Sequence, residues 1–328
     1  MAVNANTNKT YDVSTIREDL QDAYISISST ETPIQAAIGR KSVSNTYYEW
    51  PVVDLAAPAA NRVLEGEAAP GNDAPTNASR LGNYTQISDK VVEVSDTAES
   101  VNGAADVQTV AKQVAFKLKE LKRDMELMLV SNVAANAGAA GTARVTAGLP
   151  AFLTSNVSRG SGGANPTLSG TTAGYPDAAA TDGTARALTE AMLKTVIAAC
   201  WDNGAEPSLV VCGSAVKQKI SSTFTGSATK YQDMTEKKTL SAAIDVYVSD
   251  FGTLTIVPSR FLETRTVAAR DVFVIDPNYA RVAFLQNVKQ RPLARTGHAE
   301  RRLISVEYGL QVDTQKAHGI IADIDGSL

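Results

Sequence analysis

Cysteine and histidine are almost missing from this 328-residue chain, which has two of each. Two cysteines, Cys200 and Cys212, make no disulfide framework. With no CxxC pair and no HExxH helix, there is no zinc set either. Both thiols read as reduced and buried. Aromatic residues are scarce at 6%, which favours thin, closely approaching layers over one thick aromatic core. No apolar run approaches the roughly 18–20 residues of a membrane-spanning helix. The opening stretch MAVNANTNKTYD has neither a basic segment nor an apolar one, so no secretory signal is expected. The Asn-x-Ser/Thr patterns at Asn8, Asn77, Asn83 and Asn156 then carry no meaning. An excess of positive charge is lacking too. Lysine and arginine total 31 against 35 acidic residues, a formal net charge of −4. A dedicated nucleic-acid binder needs a wide basic footprint, and this chain does not supply one.

The usual signatures of catalysis are also wanting. There is no G-x-S-x-G elbow, no Walker loop and no G-x-G-x-x-G after a strand. Cys212 and Ser214 do sit at an expected strand-to-helix joint, the one place a soluble hydrolase would have its nucleophile, but Ser214 is more simply a helix cap. DIDG at 323–326 resembles the start of a calcium loop without its remaining ligands and reads as a terminal turn.

What is present is architecture. Residues 1–11 read as a polar arm. Val13, Ile16, Leu20 and Ala23 have helical spacing. TETPIQAAIG predicts a short helix with Thr32 as N-cap, Pro33 at its first position and Gly39 just past its end. VSNTYYEWPVVDL reads as strand. Between Ala56 and Arg80 come three prolines and two glycines, which exclude a central strand. YTQISDKVVEV then alternates again. The two arms predict a long two-stranded ribbon. Such a hairpin is marginal alone in water, so it is expected to lie on something else, in the first instance another subunit.

The strongest periodic signal spans Ala104 to Asn136. Val107, Val110, Val114, Leu118, Leu121, Met125, Met128 or Leu129, and Val133 form one stripe. A helix of that span is about 50 Å long, a spine for other elements. A coiled coil is the competing reading, weakened by the absence of strict heptads. RVTAGLPAFLTSN (144–156) is an apolar island. A Gly- and Ser-rich loop follows to about 183. A second block starts near Thr184, with a helix ending at Asn203–Gly204, a buried strand PSLVVCG, a helix SAVKQKISSTF and a hairpin turning through Asp250 to Gly252. From about Arg270 the chain is strand-rich.

Two clusters are basic. KLKELKR (117–123) is interleaved with acids and reads as a solvated helix face. KQRPLARTGHAERR (289–302) is net basic and suits an acidic neighbour better than DNA.

Several stretches resemble one family of tailed-phage major capsid proteins, that of short-tailed phages, with the Hong Kong 97-type fold. They are TETPIQAAIGRKSVSNTYYEWPVVDL, EGEAAP, RVTAGLPAFLTSN, SDFGTLTIVPSRFL and LARTGHAERRLISVEYGLQV, in order over about residues 12–320. The resemblance implies an α+β capsid fold and no enzymatic role, cofactor or metal. It implies an N-terminal arm (1–45), an extended loop with flanking strands (46–100), a peripheral domain with the spine helix (101–183), an axial domain (184–265) and C-terminal strands of the peripheral domain (266–328). The implied partners are copies of the chain in hexamers and pentamers, a separate scaffolding protein, a portal, a decorating cement protein and weakly held packaged DNA, with no membrane. Trp50, Arg62, Glu65, Glu67, Arg80, Lys117, Lys122 and Arg123 are the expected inter-subunit contacts, with Glu65 and Glu67 facing cations of a neighbour's spine. The loop has no lysine between Ala56 and Arg80, so a lysine crosslink at its tip is not expected. An encapsulin-type compartment shell is the nearest alternative, and a tail-tube or sheath protein a further one.

Overall fold

The computed structural model describes residues 26–28, 30–68, 74–170, 174–223, 245–262 and 270–325. The polar arm and most of the helical pattern at 12–27 lie outside these residues. The first element is a short helix, α1 (Pro33–Ala37), followed at once by β1 (Gly39–Ser42). Thr32 does not cap α1 with its side chain, and Gly39 is not in the left-handed conformation expected of it. The cap is supplied from far away instead. The carboxylate of Glu126 accepts from the Ile34 and Gln35 N–H groups at 2.8 and 3.0 Å.

One sheet has the order β1, β12 (Ala280–Pro292), β13 (Ala299–Val312), β4 (Gln86–Ser95). Along β4 and β13 the even-numbered residues Val92, Val94, Ile304 and Val306 are buried. They form one core with Val114, Leu121, Met125 and Leu129 of the spine helix α3 (Val110–Val130). The helical stripe thus meets the strand alternation along one seam.

α3 has 21 residues, about 32 Å of rise, and is shorter than the 104–136 span that the stripe predicted. At its start Ala105 and Asp106 have φ of 57° and 48°, which no right-handed helix accommodates. The Glu99 carboxylate caps it by accepting from the Val110 N–H at 2.9 Å. At its end Ser131 is extended. Asn132 then holds Ala180 through both its carbonyl and its N–H, at 2.7 and 3.0 Å.

The second sheet has six strands, in the order β5 (Val157–Ser158), β14 (Gly319–Ile324), β11 (Arg270–Ile275), β8 (Leu209–Cys212), β10 (Gly252–Pro258), β9 (Val246–Ser249). Its period-2 pattern serves two cores. Phe273, Ile275 and Ile320 join the spine core. Val272, Val274 and Ile321 join a second core with α4 (Glu190–Asp202) and α5 (Ser214–Thr223), through Leu193, Ile197, Val216 and Ile220. α4 ends at Gly204, whose φ of +87° is the left-handed stop expected there. The hairpin through Asp250–Gly252 also forms as read. The sheet draws strands from both sides of residue 265, so the inserted lobe and the C-terminal strands share one hydrogen-bonded layer.

The ribbon differs from expectation. β2 (Tyr47–Val52) pairs with β3 (Ser79–Tyr84), six residues each, and β4 belongs to the first sheet. This short stem is fixed to its own body. The Tyr48 hydroxyl donates to the Leu310 carbonyl at 2.8 Å. The fully buried Asn83 donates to Leu310 O at 2.7 Å and accepts from Ala147 N–H at 3.0 Å. The Gly-rich loop is tied down as well, with Asp323 accepting from Gly160 and Gly183 N–H groups, both at 2.8 Å.

Candidate assembly surface

Beyond the stem, the described residues from Val53 to Ala78 form no strand or helix, and every one of them is exposed. Four of its large apolar side chains face solvent. Val53, Leu55, Val63 and Leu64 are 55, 84, 61 and 78% exposed. A tight turn holds Leu64 to Glu67. Glu67 N–H donates to Leu64 O at 3.1 Å, and the Glu67 carboxylate accepts from Leu64 N–H at 3.0 Å. Gly66 supplies the positive φ of that turn, 84°. Asp54 pairs with Lys316 at 2.9 Å. From Leu55 to Ala78 no described residue is hydrogen-bonded to the body. Apolar residues carried clear of the fold by a pinned stem make an interaction surface in want of a partner.

The eight expected contact residues fall in three places. Arg62, Glu65 and Glu67 are exposed on the excursion. Arg80 is at its stem, paired with Glu49 at 3.1 Å. Lys117, Lys122 and Arg123 are on α3, where Lys117 is already paired with Glu120 at 2.8 Å. The nearby Lys90 is held by Asp124 at 2.7 Å, which keeps its ammonium above its ordinary pKa, through that hydrogen bond first. Among the described residues no ion pair joins the excursion to α3. Trp50 lies inside its own protomer. It is 5% exposed, lies against Tyr48 and Phe152, and donates its indole N–H to Asp313 O at 3.2 Å. Its alternation in the strand placed it inward.

Other parts of the surface were not singled out by the sequence. On the inserted lobe Trp201 lies with its ring centroid 5.2 Å from that of Phe251, the rings tilted by 35°, and is half exposed, and Val246 and Val248 of β9 are exposed as well. On the first sheet Ile87 and Val91 point away from α3 and are 59 and 46% exposed. The signal was parity, since both numbers are odd whereas Val92 and Val94 are even.

Both cysteines and His318 are buried in packing, whereas Ser214 is exposed at the first position of α5. Cys212 is fully buried beside Ser214, and burial pushes the Cys200 thiol up to about 12. His318 is fully buried, and desolvation lowers it to about 4. Among the described residues no group of three or more His, Cys, Asp or Glu side chains is placed to hold a metal, and no helix is long and apolar enough to cross a membrane.

A family model described as SU10 major capsid protein matches residues 3–325. The "Major capsid protein" of Escherichia phage Phieco32 is 33% identical over 109 residues, covering 33% of this chain and 31% of that protein. The matched stretch thus spans about a third of the curated relative's length. A solved structure from Gordonia phage Cozz superimposes with a TM-score of 0.64 at 12% identity, covering 97% of this chain and 96% of the other. An encapsulin of Synechococcus elongatus superimposes at 0.54 and 12% identity, covering 93% of each. Both structural likenesses are of fold.

Proposed function

The chain belongs to the SU10 major capsid protein family, and on that premise we propose that it self-assembles into the icosahedral head enclosing the double-stranded DNA of a tailed phage. The observation that carries the mechanism is the excursion of residues 53–78. It is pinned at its root, and its described residues carry exposed apolar and acidic side chains, with none of them past Asp54 hydrogen-bonded to the described body. The tip docks on an adjacent copy within hexamers and pentamers. Each such contact is modest. Repetition through a closed shell raises the effective concentration of every further contact, so no single interface has to be strong.

In this reading residues 1–45 are the N-terminal arm, 46–100 the extended loop with its strands, 101–183 with 266–328 the peripheral domain, and 184–265 the axial domain. The exposed Trp201–Phe251 patch of the lobe would face its counterparts about the capsomer centre. A separate scaffolding protein and a portal complete assembly. The mild net acidity of the chain suits a lumen that holds DNA weakly, since dense phosphate contacts would oppose packaging and release. An encapsulin-type compartment has the same kind of fold but would need a cargo groove. The family match favours the phage head.

The test is direct. Co-expressed with its scaffold, the chain forms closed particles visible by electron microscopy. Replacing residues 56–78 by two glycines leaves a folded protomer by circular dichroism but abolishes particles. Normal shells from that deletion would refute the mechanism.

A further inference from the structure

We propose that Asn102 is a site of spontaneous covalent modification, where the backbone nitrogen of Gly103 closes on the asparagine side chain and converts it in time to aspartate and isoaspartate. The proposal concerns the folded chain itself and does not depend on the capsid reading.

An asparagine or aspartate followed by glycine is open to this reaction, because glycine has no Cβ to shield its own nitrogen. Among the described residues three such pairs occur, Asn102–Gly103, Asp182–Gly183 and Asn203–Gly204. The first residue of each is exposed, so exposure does not separate them. Hydrogen bonding does. Gly183 donates its N–H to an Asp323 carboxylate oxygen at 2.8 Å. Gly204 donates its N–H to the Trp201 carbonyl at 2.8 Å. The Asn203 amide is held as well, donating to Ala199 O at 2.7 Å and to the Asn156 side chain at 3.1 Å. Ring closure at either pair has first to break these bonds. At the remaining pair the Asn102 side chain and the Gly103 N–H make no hydrogen bond among the described residues. Asn102 belongs to no helix or strand. The chain is extended on both sides of it, with φ and ψ of −84° and 133° at Val101 and −105° and 150° at Gly103.

In the first step a bond forms between the Gly103 nitrogen and Cγ of Asn102, the Cγ–Nδ2 bond breaks, and ammonia leaves with the proton that the glycine nitrogen gives up. The product is a cyclic imide. Water then adds to one of its two carbonyl carbons. Opening on the side-chain side restores the ordinary backbone, with aspartate in place of asparagine. Opening on the backbone side routes the chain through Cβ and Cγ, as isoaspartate. That form lengthens the backbone between two fixed points. Val101 donates its N–H to Thr97 O at 3.1 Å, and its carbonyl accepts from the Gln108 amide at 2.9 Å. Gly103 O accepts from the Asp106 N–H at 3.2 Å, at the left-handed pair that precedes α3. An added backbone carbon strains one link or the other. Either product also adds a carboxylate to a segment that already carries Glu99 and Asp106.

The experiment follows the whole folded chain in neutral buffer at physiological temperature, with a urea-unfolded sample beside it. Tryptic peptides separate the sites, since residues 91–112 contain no asparagine but Asn102 and residues 195–217 none but Asn203. Mass spectrometry reads the small gain in mass from amide to acid, and labelling with an isoaspartyl methyltransferase reads isoaspartate. In the unfolded sample both peptides should change at similar rates. In the folded chain the Asn102 peptide should change at least roughly tenfold faster than the Asn203 peptide. N102S, which removes an amide with no partner in the fold, should abolish the label on that peptide. Equal rates at the two sites of the folded chain, or a faster Asn203, would overturn the proposal. So would an Asn102 peptide that stays intact while the unfolded chain reacts, or a label that survives N102S.

Discussion

Glu126 is a carboxylate with no exposure, on a helix that is otherwise amphipathic, and its two oxygens take the N–H groups of Ile34 and Gln35. Desolvation raises its pKa, and the two backbone hydrogen bonds oppose that rise without cancelling it. Its folded value therefore lies above its unfolded one. The proton-linked part of its stabilisation is fully present below the ordinary carboxylate pKa and is lost as pH rises through the raised value, while the two backbone hydrogen bonds remain. His318 has the opposite sign. Burial lowers it to about 4, so its contribution is complete above its ordinary value of about 6.5 and disappears as pH falls toward 4. Unassembled protomer should lose on the order of 3 kcal/mol from this group over that interval. H318F should flatten the corresponding limb of urea midpoint against pH, and an unchanged slope would contradict the assignment. E126A leaves two buried N–H donors unpaired and should cost about 1–3 kcal/mol, read as a lower urea midpoint at neutral pH.

The elements differ in how plainly the sequence announces them. α4 was legible at its C-terminal end, because Gly204 stops it there, whereas its cap at Thr189 was not read from the sequence. β8 was legible because all four of its residues are apolar and buried. The spine helix was read too long, since spacing alone is blind to the left-handed pair at Ala105 and Asp106 and to a cap contributed by Glu99. Replacing Ala105 with glycine should relieve that conformation and stabilise the protomer by about 1 kcal/mol. A drop in melting temperature would show that the break is not local strain. The ribbon was misread for a different reason. The alternation of β4 is real, but its partner β13 lies some two hundred residues on, and no local pattern names a distant strand. Of the assembly surface, the acidic excursion was visible in composition. The odd face of β4 and β13 was not, because it exists only once those strands are paired.

At the scale of the molecule, two cores share one six-stranded sheet, with Phe273 and Ile275 facing one core and Val272 and Val274 the other. The lobe and the body should therefore unfold together. V274A, which removes two buried methyl groups, should cost about 1–3 kcal/mol and lower a single calorimetric transition. Two separated transitions would show that the lobe is independent. The excursion contrasts with this unity. Its root is locked by Tyr48, Trp50 and Asn83, and past Asp54 the described residues up to 78 make no hydrogen bond to the body. Five-fold and six-fold rings present their neighbours at different angles. Under the proposed docking, a stiff shoulder and a hand whose described residues past Asp54 make no hydrogen bond to the body would let the same polypeptide reach across either angle, so a shell's curvature would be accommodated in a couple of dozen residues while the rest of the subunit stays constant.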